Sequence, residues 1–131
     1  MKGRFHGQPS SLWDHPDYKG KDLNAIPLKD YEKLWKRPAV WIPHGELANS
    51  PGEPVFNYTG GKFGPFEGQM FIGDQGRSNI MRVSLQKVAG EYQGVIFDFI
   101  NRLQTGCIRH VFAEDGRLWV GQTGRGWGSA G

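Results

Sequence analysis

From Ala39 onward, short apolar runs alternate with clusters of glycine, proline and charged residues. The runs are rich in β-branched and aromatic side chains, a composition typical of strands bounded by turns. The pattern predicts seven strands, over residues 39–43, 53–58, 68–74, 78–85, 92–100, 108–113 and 117–122. The Asp-Gly pair at 115–116 indicates a hairpin, residues 89–91 a tight connection and residues 57–66 a longer loop. We therefore predict an all-β fold built from antiparallel sheet.

The residues before Ala39 follow a different pattern. Residues 1–24 have neither the period of a strand nor that of a helix, which predicts an irregular lead-in. Between Asn24 and Lys36, apolar residues recur at helical spacing until Pro38 ends the run, which predicts one short helix. The predicted division is a lead-in with a short helix at 1–38 and a propeller-blade segment at 39–131.

Two strand ends resemble each other within the chain. The segment MFIGDQGR at 70–77 aligns with LWVGQTGR at 118–125, so position 70 corresponds to position 118. This separation falls within the repeat of one four-stranded β-propeller blade, which is roughly 40–50 residues. We therefore predict a partial propeller of about two to three blades, with each echoed segment ending an inner strand and its corner facing the channel. The alternative is a β-sandwich in which two strands are similar by chance.

Composition and charge narrow the function. The net charge of +3 is small and its Lys and Arg residues are scattered, which argues against a nucleic-acid partner. Cys107 is the single cysteine, so no internal disulfide or CxxC metal site forms, and we predict a buried thiol. No run reaches the length of a membrane span or of a signal peptide, and the histidines lack ligand spacing, so we predict no membrane and no metal site from the residues alone.

The corner at residues 74–77 carries the first candidate site. Asp74, Gln75 and Arg77 offer an acceptor, an amide and a guanidinium, which suit a sugar or the carboxylates of a quinone. The alternative is a structural corner in which Asp74 accepts turn amides and pairs with Arg77. Gln122 and Arg125 take the same two interpretations in the second segment.

Three further residues are candidates on weaker spacing. Trp127 could stack on a sugar ring or close a blade. His44 and Glu46 suit a general base and its orienting partner, although Pro43 and Gly45 indicate a loop, where a surface histidine is the alternative. The catalytic residues stay unknown beyond this pair.

The segment IGDQGR at 72–77, with an apolar run before it and Ser-Asn after it, resembles the soluble quinoprotein glucose/sorbosone dehydrogenases. The segments RPAVWIPHGELANSPGEPVF (37–56), GGKFGPFEGQMFIGDQGRSNIMRV (60–83), GEYQG (90–94) and DGRLWVGQTGRGWGS (115–129) extend the resemblance over about residues 27–131. The resemblance implies a six-bladed propeller that uses pyrroloquinoline quinone and calcium in an exported, periplasmic parent, often beside a c-type cytochrome module. The catalytic Asp-His pair expected ahead of this corner has no counterpart, because NSPGEPVF (49–56) stands there.

Three hypotheses follow for function. The first is a fragment of such a propeller, whose parent oxidises a sugar with the quinone. The second is a non-catalytic propeller module that binds carbohydrate or protein, and the missing histidine favours it for this chain. The third is an inactive truncated chain. Because a propeller needs closure, we expect this segment to be completed by the remaining blades of a longer parent or by self-association.

Overall fold

The computed structural model describes residues 19–22, 27, 29 and 37–124. The chain divides into two units, Met1–Pro38 and Ala39–Gly131. The helix predicted over 24–36 lies outside the described residues except at positions 27 and 29, so it remains a prediction. In the described part, no helix is long and apolar enough to cross a membrane.

The second unit is mainly β-structure, as the sequence predicts. Its six described strands form two antiparallel sheets, sheet 1 with the order β1-β2-β3-β4 and sheet 2 with β5-β6. The strands are β1 (Pro51–Phe56), β2 (Met70–Asp74), β3 (Asn79–Val88), β4 (Glu91–Ile100), β5 (Gly106–Phe112) and β6 (Leu118–Thr123). Each strand of sheet 1 therefore pairs with the next along the chain, in an up-and-down meander.

The tight turns form where the sequence indicates them. Ala89 and Gly90 both have positive φ, 49° and 84°, which is the geometry of a two-residue hairpin turn between β3 and β4. At the β5–β6 turn, Gly116 has φ of 90° and its amide donates to the carbonyl oxygen of Ala113 at 2.9 Å.

The strand predicted at residues 39–43 is wrong. These residues have no strand structure, and Val40 and Ile42 instead pack as an irregular segment against one face of sheet 1. An apolar run indicates burial, but it does not reveal whether the backbone finds a strand to pair with. The cluster that they join contains Ala48, Ile72, Met81 and Val83 in its buried centre.

The opposite face of sheet 1 packs on sheet 2. Phe71, Ile80 and Cys107 are fully buried between the two sheets. Around them lies a group of aromatic rings in mostly edge-to-face contact, with centroids 4.9–6.4 Å apart, that joins Phe63, Phe66, Phe71, Phe99 and Phe112. Edge-to-face rings add attraction beyond their burial. This group fills the space between the two sheets.

The hairpin β5–β6 repeats the hairpin β1–β2 position by position. In the first hairpin Val55 pairs with Phe71 and Pro51 with Asp74; in the second, Val111 pairs with Trp119 and Cys107 with Gln122. Position 51 thus corresponds to 107 in the first strands, and position 74 to 122 in the second strands. Both hairpins also carry a register irregularity near the start of the first strand.

The two echoed segments occupy equivalent places in this repeat. They contain the second strands of the two sheets, β2 and β6. The first strands, β1 and β5, lie side by side and run in the same direction: Gly52 meets Ile108, and the next pair, Glu53 and Arg109, forms an ion pair. Because a Cβ on Gly52 would lie 2.5 Å from the carbonyl oxygen of Ile108, the two backbones approach closely there.

Candidate functional site

The corner that follows β2 is built around a buried carboxylate. Asp74 is fully buried. Its Oδ2 accepts hydrogen bonds from the backbone amides of Asn49, at 3.0 Å, and Ser50, at 2.7 Å. Its Oδ1 accepts one from the amide of Arg77 at 2.6 Å. A carboxylate bound to several backbone amides makes strong, charge-assisted contacts, so Asp74 ties this corner to the segment that enters β1.

Gln122 makes the equivalent contacts in the second repeat. Its Oε1 accepts hydrogen bonds from the backbone amide of Thr105, at 3.2 Å, and from the Thr105 hydroxyl, at 3.0 Å. Thr105 precedes β5 as Asn49 precedes β1, each two positions before the paired residues 107 and 51. Both side chains therefore accept the amide at the entrance to the first strand of their sheet. Asp74 is buried and accepts hydrogen bonds from three residues, whereas Gln122 is exposed and accepts from Thr105 alone.

The other residues of the predicted polar cluster point to different partners. The exposed Arg77 guanidinium donates to the carbonyl oxygen of Gly45 at 2.9 Å, and only the Arg77 backbone amide reaches Asp74. Gln75 is half-buried, its backbone amide donates to the carbonyl oxygen of Ser50 at 3.0 Å, and Gly106 packs against it. Two of the predicted ligand-binding residues, Arg125 and Trp127, lie outside the described residues.

The candidate general base lies in a turn. His44 and Glu46 are both exposed, and the amide of Leu47 closes the turn on the carbonyl oxygen of Pro43 at 3.0 Å. Gly45 has φ of 80°, so the chain reverses between the two residues. Their spacing therefore does not bring the two side chains to one face of a strand, as it would in extended chain.

Two buried titratable groups lie on β5. Cys107 is fully buried, as predicted, and burial together with the nearby charge of Asp74 raises the pKa of its thiol. His110 is also buried, and its Nε2 lies 3.1 Å from the carbonyl oxygen of Phe71, which requires a proton on Nε2. Burial lowers the pKa of His110, against the opposing effects of the Phe71 hydrogen bond and of Glu53. Both shifts favour the neutral form of the group within the contact between the sheets.

An open cleft lies between the loop after β1 and the end of β5, and the sequence did not predict it. Its volume is about 620 Å³, within the usual range for small-molecule sites. Its walls are the end of β1, residues 58–62 and residues 111–114, with Val55, Phe56, Tyr58, Thr59, Gly60, Lys62, Val111, Phe112, Ala113 and Glu114 as lining.

The cleft carries an aromatic pair beside polar groups. The rings of Phe56 and Tyr58 are stacked, with centroids 5.8 Å apart and planes 11° apart, and Tyr58 is 73% exposed. On the other side, the ammonium group of Lys62 donates to the carbonyl oxygen of Glu114 at 2.6 Å, which joins the two walls. An exposed aromatic face with charged groups near it can bind a ligand that has both apolar and hydroxyl-bearing surfaces.

The loop that forms one cleft wall is specific to the first repeat. Residues 57–69 connect β1 to β2, whereas the shorter segment 113–117 connects β5 to β6. Buried Asn57 shapes the longer loop: its Oδ1 accepts from the amide and the hydroxyl of Thr59, and its Nδ2 donates to Phe66. A loop of this length was expected from the sequence, but its position against residues 111–114 depends on the packing of β1 beside β5. No local signal in the chain indicates that contact.

The quinone and calcium that the resemblance implies stay predictions for this chain. Both oxygens of Asp74 already accept backbone amides. Across residues 19–22, 27, 29 and 37–124, no group of three or more histidine, cysteine or acidic side chains is placed to hold a metal ion. We therefore derive no chemical step through either group.

The fold and its strand-end corners define an all-β segment with a repeated hairpin. Comparison with protein-family models, with curated proteins and with solved structures gives no match for this chain.

Proposed function

We propose that residues 39–124 belong to a β-propeller of the sorbosone/glucose dehydrogenase-like class, and that this part of the propeller binds a saccharide without catalysing a reaction on it. The propeller is supported by the four-stranded meander of sheet 1, which has the order of one blade, and by the repeated hairpin that begins sheet 2. β1 and β5 also run in the same direction, as expected for the first strands of two neighbouring blades around one propeller axis.

The stacked pair Phe56–Tyr58 in the open cleft is the observation that carries the saccharide proposal. A sugar ring presents a C–H face to an aromatic ring and hydroxyl groups to the polar rim. Lys62 and Glu114 are exposed at that rim, and they provide a cation and an anion to which hydroxyl groups can hydrogen bond. The cleft is open, which suits weak binding of part of a larger glycan.

Two observations favour binding over catalysis in this chain. The side-chain oxygens of Asp74 and Gln122 already accept hydrogen bonds from backbone amides. The exposed His44 lies in a turn outside the cleft lining. Oxidation of a sugar by the quinone remains a proposal for the parent propeller, and it rests on the sequence resemblance alone. The cytochrome module and the exported location belong to that same proposal.

The test is saccharide titration followed by NMR chemical-shift changes, with a panel of aldoses and short oligosaccharides. We expect saturable shifts at residues 58–62 and 111–114. Tyr58→Ala should weaken binding about two- to tenfold, the amount that an aromatic contact of about 0.5–1.5 kcal/mol supplies. Tyr92→Ala is the matched control, because Tyr92 is 54% exposed on β4 and does not line the cleft.

Equal effects of the two tyrosine variants, or no saturable shift with any sugar, would refute saccharide binding in the cleft. A separate assay mixes the chain with quinone, calcium, an aldose and an electron-accepting dye. Dye reduction that depends on the sugar would overturn the non-catalytic part of the proposal and favour the enzymatic hypothesis.

A further inference from the structure

The repeat shows which exposed residues occupy positions that are buried elsewhere in the same chain. Trp119 on β6 corresponds to Phe71 on β2, and both face the same way relative to their hairpins. Phe71 is fully buried beneath sheet 2, whereas Trp119 is 56% exposed. Val111, paired with Trp119 on β5, is also 56% exposed. We call this outer side of sheet 2, formed by Val111, Trp119 and Gly121, the leading face.

Gly121 on the leading face corresponds to Gly73 in the first repeat. Gly73 in the first repeat leaves room for sheet 2, because a Cβ there would lie 2.5 Å from the sulfur of Cys107 and 2.8 Å from its carbonyl oxygen. Gly121 holds the corresponding position, yet a Cβ there would have as its nearest neighbour the Arg109 carbonyl oxygen on the paired strand, at 3.4 Å. The leading face therefore keeps the residue that admits a close backbone approach.

The complementary half of this contact is exposed on β1. Sheet 2 presents Cys107, His110 and Phe112 of β5 to sheet 1. In the alignment of the two first strands, the equivalent positions on β1 are Pro51, Pro54 and Phe56, all of which are exposed and apolar. We call this side of β1 the trailing face.

Charge agrees with the same contact. Within the chain, Glu53 of β1 forms an ion pair with Arg109 of β5, and both side chains are more than half exposed. Glu53 and Arg109 are also equivalent positions of the two repeats, each two residues after the aligned positions 51 and 107. If the leading face of one copy met the trailing face of another, Arg109 of the first would therefore lie beside Glu53 of the second, again with opposite charges.

We infer that the partner of the leading face is a second copy of this chain, bound head to tail through its trailing face in the geometry that sheet 2 adopts on sheet 1. Both halves of the contact are present on one chain, and the contact continues the interface between its own sheets. A contact between two different faces of the same molecule leads to a ring or a filament. Propellers close with about four to eight sheets, so about two to four copies with two sheets each would close a ring.

The test is the mass of the full chain by sedimentation velocity over a range of concentrations. We expect a species of at least twice the 14.7 kDa monomer. Trp119→Glu on the leading face and Pro54→Glu on the trailing face should each give a monomer. Tyr92→Glu should associate like the unchanged chain, because Tyr92 is 54% exposed on β4 and belongs to neither face. Circular dichroism checks that each variant keeps its β-structure.

A mixing experiment distinguishes head-to-tail binding from any symmetric contact. Trp119→Glu retains an intact trailing face and Pro54→Glu retains an intact leading face, so an equimolar mixture should form a dimer with one copy of each. A monomeric unchanged chain at every concentration, unaltered association of Trp119→Glu, or a mixture that stays monomeric would overturn the inference. Trp119 and Pro54 do not line the cleft, whereas Val111 of the leading face and Phe56 of the trailing face do, so the saccharide titration is made on the two monomeric variants as well as on the unchanged chain.

Discussion

Replacing Asp74 by alanine should destabilise this protein far more than the equivalent change in the second repeat. The substitution removes the acceptor of three backbone amides, those of Asn49, Ser50 and Arg77. Leaving a buried donor without a partner costs about 1–3 kcal/mol. Because these amides lie in part-buried segments that water can reach, we take about 1 kcal/mol for each, or about 3 kcal/mol in all. Domains of this kind have total stabilities of about 5–15 kcal/mol.

Urea unfolding followed by far-UV circular dichroism measures this loss. With a typical dependence of about 1–3 kcal/mol per molar urea, the Asp74→Ala midpoint should fall by about 1–3 M. Gln122→Ala is the matched control, since Gln122 is exposed and water replaces its bonds to Thr105, at a cost of about 0.5–1 kcal/mol. Asp74→Asn should lie between the two, because its amide oxygen can still accept on one side only.

The order of the three variants decides the result. If Asp74→Ala lost no more stability than Gln122→Ala, the buried corner would not depend on its carboxylate. Asp74 would then again be a candidate for ligand binding. If Asp74→Asn were as stable as the unchanged protein, the third amide contact, from Arg77, would carry no measurable energy.

Two further predictions concern the contact between the sheets. Gly73→Ala should lower the free energy of unfolding by about 1–3 kcal/mol in dilute protein, because its Cβ would overlap Cys107. Gly121→Ala should change it by no more than about 0.5 kcal/mol. Equal urea midpoints for the two variants would contradict the close approach at Gly73. Burial lowers the pKa of His110 in the folded state below the ordinary 6.5, so the unfolded chain binds the proton first as the pH falls. The stability contributed by neutral His110 should therefore be complete above pH 6.5 and should decrease as the pH falls from 6.5 toward the folded-state pKa. Urea midpoints between about pH 8 and pH 5 should show this decrease, and His110→Gln should reduce it; an unchanged pH profile in His110→Gln would show that other groups cause it.

Strand content could be predicted from local patterns because β-propensity and turn chemistry act over a few residues. The predicted hairpin at 115–116 and the tight connection at 89–91 are both present, with glycines at positive φ. The run at 39–43 was misassigned because its apolar residues are buried on sheet 1 without strand pairing. The apolar pattern indicates only that these residues are buried, and a paired strand and an irregular segment can both bury them.

The candidate site was harder to predict than the fold. The echo located two corners with related chemistry, but their roles depend on Asn49 and Thr105, which lie 25 and 17 residues away in sequence from the side chains that bind them. The cleft depends on an even longer separation, 52 residues between Lys62 and Glu114. A local motif cannot encode such contacts, because they exist only once the sheets have packed.

The sequence by itself determined the strand character of residues 51–123, the turns between the strands and the similarity of two strand ends, since each follows from short-range sterics and side-chain preference. Only the tertiary structure decided that β1 and β5 lie side by side and that Asp74 accepts hydrogen bonds from backbone amides. It also decided that the loop at 57–69 forms a cleft wall and that Trp119 remains exposed where Phe71 is buried. The physical reason is that burial and hydrogen-bond partners depend on which distant segments meet, and that choice is made by the packing of whole sheets.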